Sequence, residues 1–249
     1  MSSLYRPCIV VPFYNHGQFA HKLINELAVY QLPVIIVDDG SQKEHRQQLE
    51  AAIRNKDAVS LTTLKHNQGK GKAVITGFKL AQQAGYTHVI QIDADCQHDF
   101  SVLPDFLKIS NQHPNALICG YPHYNETVPR SRLYPRYITH FWVCINTLST
   151  AIKDSMCGFR CYPLSATLTT IDQCHIGLRM DFDIEIVVRL YWQGLPIINL
   201  PVAVIYHQDA SSHFRLWRDN ILISRTHAVL FFGMTKRLPT LLMRKWWRV

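Results

Sequence analysis

Apolar residues recur along this chain in two rhythms, and their alternation predicts a buried sheet flanked by helices. Residues 8–13 (CIVVPF) and 34–37 (VIIV) are short unbroken apolar runs, the pattern of strands covered on both faces. Between them Phe19, Leu23, Ile24, Leu27 and Ala28 recur at helical spacing, which predicts a helix running to Tyr30 with one face on the sheet. A weaker third strand is predicted over 59–64, then a helix opening at 67–73 (NQGKGKA) and running to about Ala84, then strands over 89–92 and 116–120. Residues 121–135 read as a long polar loop, and 136–152 as a helix with apolar bulk on more than one face. Residues 154–163 (DSMCGFRCYP) predict a turn into a short strand. Residues 181–193 predict a helix that Asp181 can cap and Gly194 can end. Residues 195–206, interrupted by Pro196 and Pro201, suit an edge strand. This order predicts an α/β domain whose ligands gather at the carboxyl ends of its strands.

Two of those strand ends are acidic. The run 89–92 stops at Asp93 and Asp95, which share one face of an extended chain while Ala94 points the other way, and Gln97 follows in the same register. Two converging carboxylates repel unless a cation lies between them. Oxygen-only ligands select a hard ion, magnesium or manganese, that shares its coordination with phosphate. The run 34–37 ends in Asp38-Asp39-Gly40-Ser41, where Ser41 and Glu44 have the spacing of a capping box, so turn and cap chemistry competes with a binding role for these acids. Lys70 and its small neighbours at the next helix start suit contact with phosphate. NQGKGKA satisfies neither a P-loop nor a dinucleotide fingerprint, because no Ser or Thr follows a lysine and Val74 occupies the third small position.

Composition bounds the rest. With 249 residues, 47% hydrophobic and 18% charged, the chain can bury the core of one large α/β domain. The formal charge of +8 is concentrated late, since residues 215–249 carry eight Lys or Arg and one Asp among many aromatics. We therefore expect a domain over 1–210 and, over 211–249, a basic amphipathic helical tail that associates with an anionic membrane surface. Arg225 and His227 interrupt its best apolar run, so lying on a membrane fits better than crossing one; a basic helix packed on its own domain is the alternative. The amino terminus lacks a secretory pattern, and seven cysteines without a C-x-x-C pair suit reduced thiols, hence a cytoplasmic location. Cys96 and His98 flank Gln97, yet no second spaced pair accompanies them, which argues against zinc.

Six motifs occur in order: VVPFYN, VDDGS, NQGKGKA, DADCQH, CGFR and MDFDIE. Together they resemble the family 2 inverting glycosyltransferases of GT-A fold, in particular the dolichol-phosphate mannosyltransferase-like branch, over about residues 7–215. The resemblance implies a mostly parallel sheet flanked by helices. It implies that Pro12, Tyr14, Asn15 and Asp39, with Lys70 and Asp93, bind a nucleoside diphosphate sugar. It implies that Asp93, Asp95 and Gln97 hold Mg2+ or Mn2+, with Asp95, Asp183 and Arg160 in the catalytic set. Arg130, Arg132, Arg136 and Arg160 match the region where relatives hold the phosphate of a lipid-linked acceptor, a polyprenyl phosphate, at the cytoplasmic face of a membrane.

Two departures stand out. His207 and His213 occupy the spacing where such relatives place Arg and Lys near the diphosphate, so charge there depends on pH. MDFDIE offers Asp181, Asp183 and Glu185 where one acid is usual, and an extra acid could serve as base for a hydroxyl acceptor on a glycolipid or saccharide. From another class, a non-catalytic nucleotide or nucleic-acid binding module would suit the basic aromatic tail. Acidic strand ends repel polyanions, and no nucleic-acid partner is expected.

Overall fold

The computed structural model describes residues 5–123, 130–204 and 216–246, without the side chains of 130–133, 216, 245 and 246. Seven strands form one sheet: β1 (Pro7–Phe13), β2 (Val34–Asp38), β3 (Val59–Thr63), β4 (His88–Gln91), β5 (Leu117–His123), β6 (Arg160–Pro163) and β7 (Ile197–Ala203). Their order is β3-β2-β1-β4-β6-β5-β7. Every pairing is parallel except those of β6, which runs antiparallel to both β4 and β5. The α/β expectation and the strand order along the chain are borne out, including β7 as an edge strand.

Alternation along the strands builds two cores. Cys8 and Val10 of β1, with Ile35 and Val37 of β2, face one side, where α3 (Lys70–Gln83), α5 (Arg130–Thr147), α6 (Leu164–Gln173), α7 (Phe182–Trp192) and α8 (Leu216–Trp246) cover them. Ile9, Val11 and Phe13, with Val34 and Ile36, face the other, under α1 (Gly17–Ala28), α2 (Lys43–Ile53) and α4 (Leu103–Gln112). Both faces are buried, which is why β1 and β2 read as continuous apolar runs.

Several expectations are corrected. Ser41 does not cap α2: the helix begins after Gln42 with no side-chain cap, and Ser41 Oγ instead accepts the Asn15 N–H at 2.9 Å. Residues 121–123 continue β5, and α5 begins at Arg130 and ends at Thr147, so the loop expected over 121–135 is largely regular structure. Pro135 suggested a boundary, but in the second turn it removes only one intrahelical hydrogen bond. The helix stops at Leu148, held at φ +50, with Leu148 N–H on Ile145 O and Ser149 N–H on Cys144 O; Gly194 ends α7 in the same way. Helices α4 and α6 were not foreseen. In α6 the hydroxyls of Thr167, Thr169 and Thr170 donate back to the carbonyls of Pro163, Ser165 and Ala166, which hides a threonine-rich segment inside a helix.

Helix α8 follows the alternative stated for this segment, a basic helix packed on its own domain. Its described part is no separate tail, because Asp219, Ile223, Thr226, His227, Leu230, Met234 and Leu241 are buried, and it packs against α5 and α7. Asn146 Nδ2 lies 3.2 Å from His227 Nδ1, Trp192 Nε1 donates to Asn146 O at 2.9 Å, and the Arg237 guanidinium sits 4.7 Å above the Trp192 ring. Arg244 donates to the Tyr191 carbonyl at 3.0 Å. The buried face carries Asp219, Thr226 and His227, and those polar positions broke the apolar periodicity. Among the described residues no helix is long and apolar enough to cross a membrane.

Candidate functional site

A cleft of about 350 Å³ opens at the carboxyl ends of β1, β2 and β4, within the size range of small-ligand sites. Pro12, Tyr14, Asp39, Lys70, Asp93, Asp95 and Gln97, all singled out in the sequence, line it together. Parallel pairing of β1 with both β2 and β4 brings their ends side by side, so segments far apart in sequence converge there.

Each side chain has a local reason for its place. Asp38 is wholly buried and accepts the Ser41 N–H at 3.0 Å, which is turn chemistry. Asp39 reaches across to the start of α3 and accepts the N–H groups of Gln68 at 2.7 Å and Gly69 at 2.8 Å. Burial raises its pKa, and those two N–H donors oppose the shift. Asn15, at φ +53, accepts the Gln42 N–H at 2.8 Å and ties the β1–α1 turn to α2. It stands next to Tyr14 of the cleft lining and braces that turn.

The acidic loop follows β4. Asp95 accepts the Gln97 N–H at 3.1 Å, Cys96 turns the chain at φ +51, and His98 Nε2 lies 3.4 Å from Cys157 Sγ. Lys70 Nζ lies 2.8 and 2.9 Å from the two oxygens of Asp93 and 2.6 Å from Asp183 Oδ2. Burial alone would lower the Lys70 pKa, but the Asp183 and Asp93 carboxylates outweigh it and hold the ammonium charged. Gln91 Nε2 donates to the other Asp183 oxygen at 3.0 Å, and its own carbonyl accepts from Tyr162 Oη at 3.3 Å. Arg160 Nη1 lies 3.4 Å from Tyr162 Oη and donates to the Asp183 carbonyl at 2.6 Å. The floor of the cleft is thus one polar network with two cations, Lys70 and Arg160, and two carboxylates, Asp93 and Asp183.

This arrangement corrects two arginines. Arg160 is fully buried, because the antiparallel register sets it opposite Gln91 on one side and Cys119 on the other. It supports the floor from beneath, through Tyr162 and the Asp183 carbonyl. Arg136 is held by Asp154 through Nε at 2.5 Å and Nη2 at 3.1 Å, in a separate cavity of about 180 Å³ with Tyr121, Tyr137, His140 and Lys153. Burial would raise the Asp154 pKa, but Arg136 and the N–H groups of Met156 and Cys157 bring it below the usual value. Arg130 and Arg132 stand in the first turn of α5 with their side chains outside the description, and His207 and His213 lie outside the described residues.

Of the three acids in MDFDIE only Asp183 lines the cleft. Asp181 stands at the α7 N-cap without making the cap hydrogen bond; it accepts the Arg179 N–H at 3.2 Å and the Thr226 hydroxyl at 3.3 Å. Glu185 accepts the Gly177 N–H at 2.8 Å and pairs with Arg189. The cleft also contains residues that sequence reasoning missed. Arg179, whose Nη1 donates to Asn67 Oδ1 at 3.2 Å, stands beside Asp39 on one wall, and its only signal was an arginine just before MDFDIE. Arg218, Asp219 and Ile223 come from α8 and escaped notice because that segment was read as a tail.

Gly158 of CGFR fixes how closely two segments approach. A Cβ built there would lie 2.2 to 2.5 Å from the Asp93 carboxylate atoms, inside any tolerable contact. Gly158→Ala is expected to push Asp93 off Lys70 and cut donor affinity roughly tenfold or more, a loss of the size that follows when a positioned group is misplaced. Calorimetric titration of a sugar nucleotide with manganese checks this; unchanged affinity would show that the close approach is incidental.

Residues 8–175 match the family Glycosyl transferase family 2. The chain is 26% identical over 213 residues to a dolichyl-phosphate beta-glucosyltransferase of Dictyostelium discoideum, covering 78% of this chain and 64% of that protein. It is 24% identical over 220 residues to an undecaprenyl-phosphate mannosyltransferase of Micrococcus luteus, covering 83% of this chain and 86% of that one. Its fold is similar to that of the Mycobacterium tuberculosis glucosyl-3-phosphoglycerate synthase solved with Mn2+, UDP-glucose and phosphoglyceric acid, with a TM-score of 0.66, 12% identity, and coverage of 92% of this chain and 79% of that one.

Proposed function

The chain belongs to glycosyl transferase family 2, with the GT-A fold, and from that premise we propose that it moves a sugar from a nucleoside diphosphate sugar to a polyprenyl phosphate. We place the reaction at the cytoplasmic face of a membrane, with the protein peripheral to it. Relatives named for dolichyl and undecaprenyl phosphates support the acceptor class, and seven free cysteines support a reducing compartment.

The observation that carries the choice of acceptor is the state of Asp183. It is the one acid of MDFDIE in the cleft, and both of its oxygens are engaged, by Lys70 at 2.6 Å and by Gln91 at 3.0 Å. Taking a proton would break the ion pair with Lys70. A hydroxyl nucleophile requires such a base, whereas a phosphate oxygen is already ionised near neutral pH and only needs to be positioned. In an inverting transfer that oxygen forms the new bond to the anomeric carbon as the bond to the diphosphate oxygen breaks, and the nucleoside diphosphate departs as an anion.

Pro12, Tyr14 and Asp39, with Arg179 beside them, form the wall we assign to the nucleoside. Lys70 lies between that wall and the acidic loop, where a diphosphate would find its ammonium. Asp93, Asp95 and Gln97 supply only oxygen ligands along one side of the cleft, a donor set that fits Mg2+ or Mn2+, and these residues would hold it. Bound there, the ion would supply charge neutralisation for the departing diphosphate. With Arg160 buried and Arg136 paired, Arg218 in the cleft lining takes first place for the acceptor phosphate, and Arg130, Arg132, His207 and His213 stay assigned to the acceptor from the sequence.

The test is transfer of labelled sugar from a panel of nucleoside diphosphate sugars to a polyprenyl phosphate in detergent with manganese, comparing wild type with Asp183→Asn. The variant is expected to keep turnover within about tenfold, because no base is removed. Loss of the hundredfold to ten-thousandfold that a general base typically contributes would favour the hydroxyl acceptor. No labelled lipid from any donor would reject the phosphate reading altogether.

A further inference from the structure

We propose that α5 and α8 together form one docking platform for an anionic lipid bilayer, in which the aromatic stripe of α5 is the apolar half. The inference rests on the lipid-linked acceptor and adds to it a second element, far from the basic carboxyl-terminal region in sequence.

Tyr134, Ile138 and Phe141 recur four and three residues apart, on one face of α5, and are 66, 62 and 62% exposed. Among the described residues no element covers them. Trp142 carries the stripe across to the neighbouring helix: its ring packs edge-on to Phe141 at 6.3 Å and lies 6.2 Å from the His227 ring of α8. On α8 the outward face continues with Trp217, Ile221, Phe232 and Met243 exposed, interspersed with the exposed cations Arg218, Arg225 and Lys236. Large apolar surface of this extent marks an interaction site.

Charge decides the occupant. Residues 130–147 contain no Asp or Glu, and the single acid of α8, Asp219, is buried. A second copy docked through this face would oppose cations to cations with no carboxylate to answer them. An anionic headgroup layer answers them all, and Tyr and Trp side chains, apolar in body and polar at the tip, suit that depth. The same helix supplies Arg218 and Ile223 to the cleft, so the platform sets the cleft mouth at the surface from which a lipid phosphate would enter.

The test uses the full chain and sedimentation with vesicles of phosphatidylcholine alone or mixed with phosphatidylglycerol. Wild type is expected to bind the mixed vesicles and to lose them in high salt. Two double variants, Ile138→Ser with Phe141→Ser and Arg225→Glu with Lys236→Glu, are each expected to weaken that binding roughly tenfold or more. Both should keep transfer to polyprenyl phosphate in detergent micelles, where no bilayer is needed. The second pair keeps the proposal testable should the first fail to fold, as judged by melting. Wild-type affinity in the folded α5 variant would overturn the role of α5. Indifference of wild type to the anionic lipid would overturn the platform, as would a dimer in sedimentation velocity that the same variants dissociate. Absence of micellar transfer in wild type would instead undo the assigned reaction and leave the vesicle result standing.

Discussion

Asp95→Asn is expected to lower sugar transfer by roughly a thousandfold while melting close to wild type, a loss that corresponds to the several kcal/mol a bound metal contributes to a transition state. The fold should survive because the hydrogen bond Asp95 accepts from the Gln97 N–H at 3.1 Å is within the capacity of an asparagine carbonyl. What disappears is a formal charge in the oxygen set of Asp93, Asp95 and Gln97. Asp93 is already shared with Lys70, so Asp95 supplies the acidic carboxylate of this loop that Lys70 does not hold. Manganese affinity in the presence of donor, followed by the loss of free-ion paramagnetic signal, should fall together with turnover. Equal affinity and equal turnover would remove the cation from this loop.

Lys70→Met should be the most damaging change to the fold of the site. The methionine matches the lysine stem in length but leaves Asp183, only 5% exposed at its side chain, and Asp93 without their shared cation. Breaking a buried pair in this way costs about 3 kcal/mol or more. In a chain of this size that corresponds to a fall in melting temperature of about 6 °C or more. The pH dependence has a definite sign. In wild type the Lys70 pKa is raised, so the stability it lends is fully present below the ordinary lysine value and is lost only as pH rises through the higher folded value, well above neutral. The deficit of the variant should therefore be fully present near neutral pH and shrink only at alkaline pH, as the wild-type ammonium itself is lost. Thermal unfolding of both proteins at neutral and at alkaline pH checks this, and the absence of a deficit at neutral pH would show that the network does not depend on Lys70. Donor affinity should fall as well, since the diphosphate loses its ammonium.

The parts legible in the sequence were those fixed by near neighbours. The apolar runs of β1, β2 and β4 announce strands covered on both faces, and their acidic or polar ends follow directly, so Asp39, Asp93 and Asp95 could be placed at one sheet end before any contact was known. The helix pattern of α1 and the glycine stop of α7 are equally local. Six ordered motifs then carried the family, and the seven-stranded, mostly parallel sheet agrees with it.

Partner choice was not legible, because a side chain's periodicity says which face it takes and nothing about what stands opposite. Arg160 looked like a phosphate ligand until β6 inserted antiparallel between β4 and β5 and set it against Gln91, beneath the cleft. Arg136 and Asp154 are 18 residues apart and share no motif, yet they satisfy each other. Asn15 was committed to α2 by the turn it adopts, and Lys70 to Asp183 across 113 residues of chain. Helix α8 looked amphipathic enough to be a tail, and only packing showed that its polar Thr226 and His227 face inward, to Asp181 and Asn146, and that Asp219 lines the cleft, while its aromatics remain outside. The sequence by itself determined the strands, their acidic ends and the oxygen ligands they present. Only the tertiary structure decided which charges are spent on one another and which stay available to a substrate, because a buried charge must find its counter-ion through space and the chain order does not encode where that is.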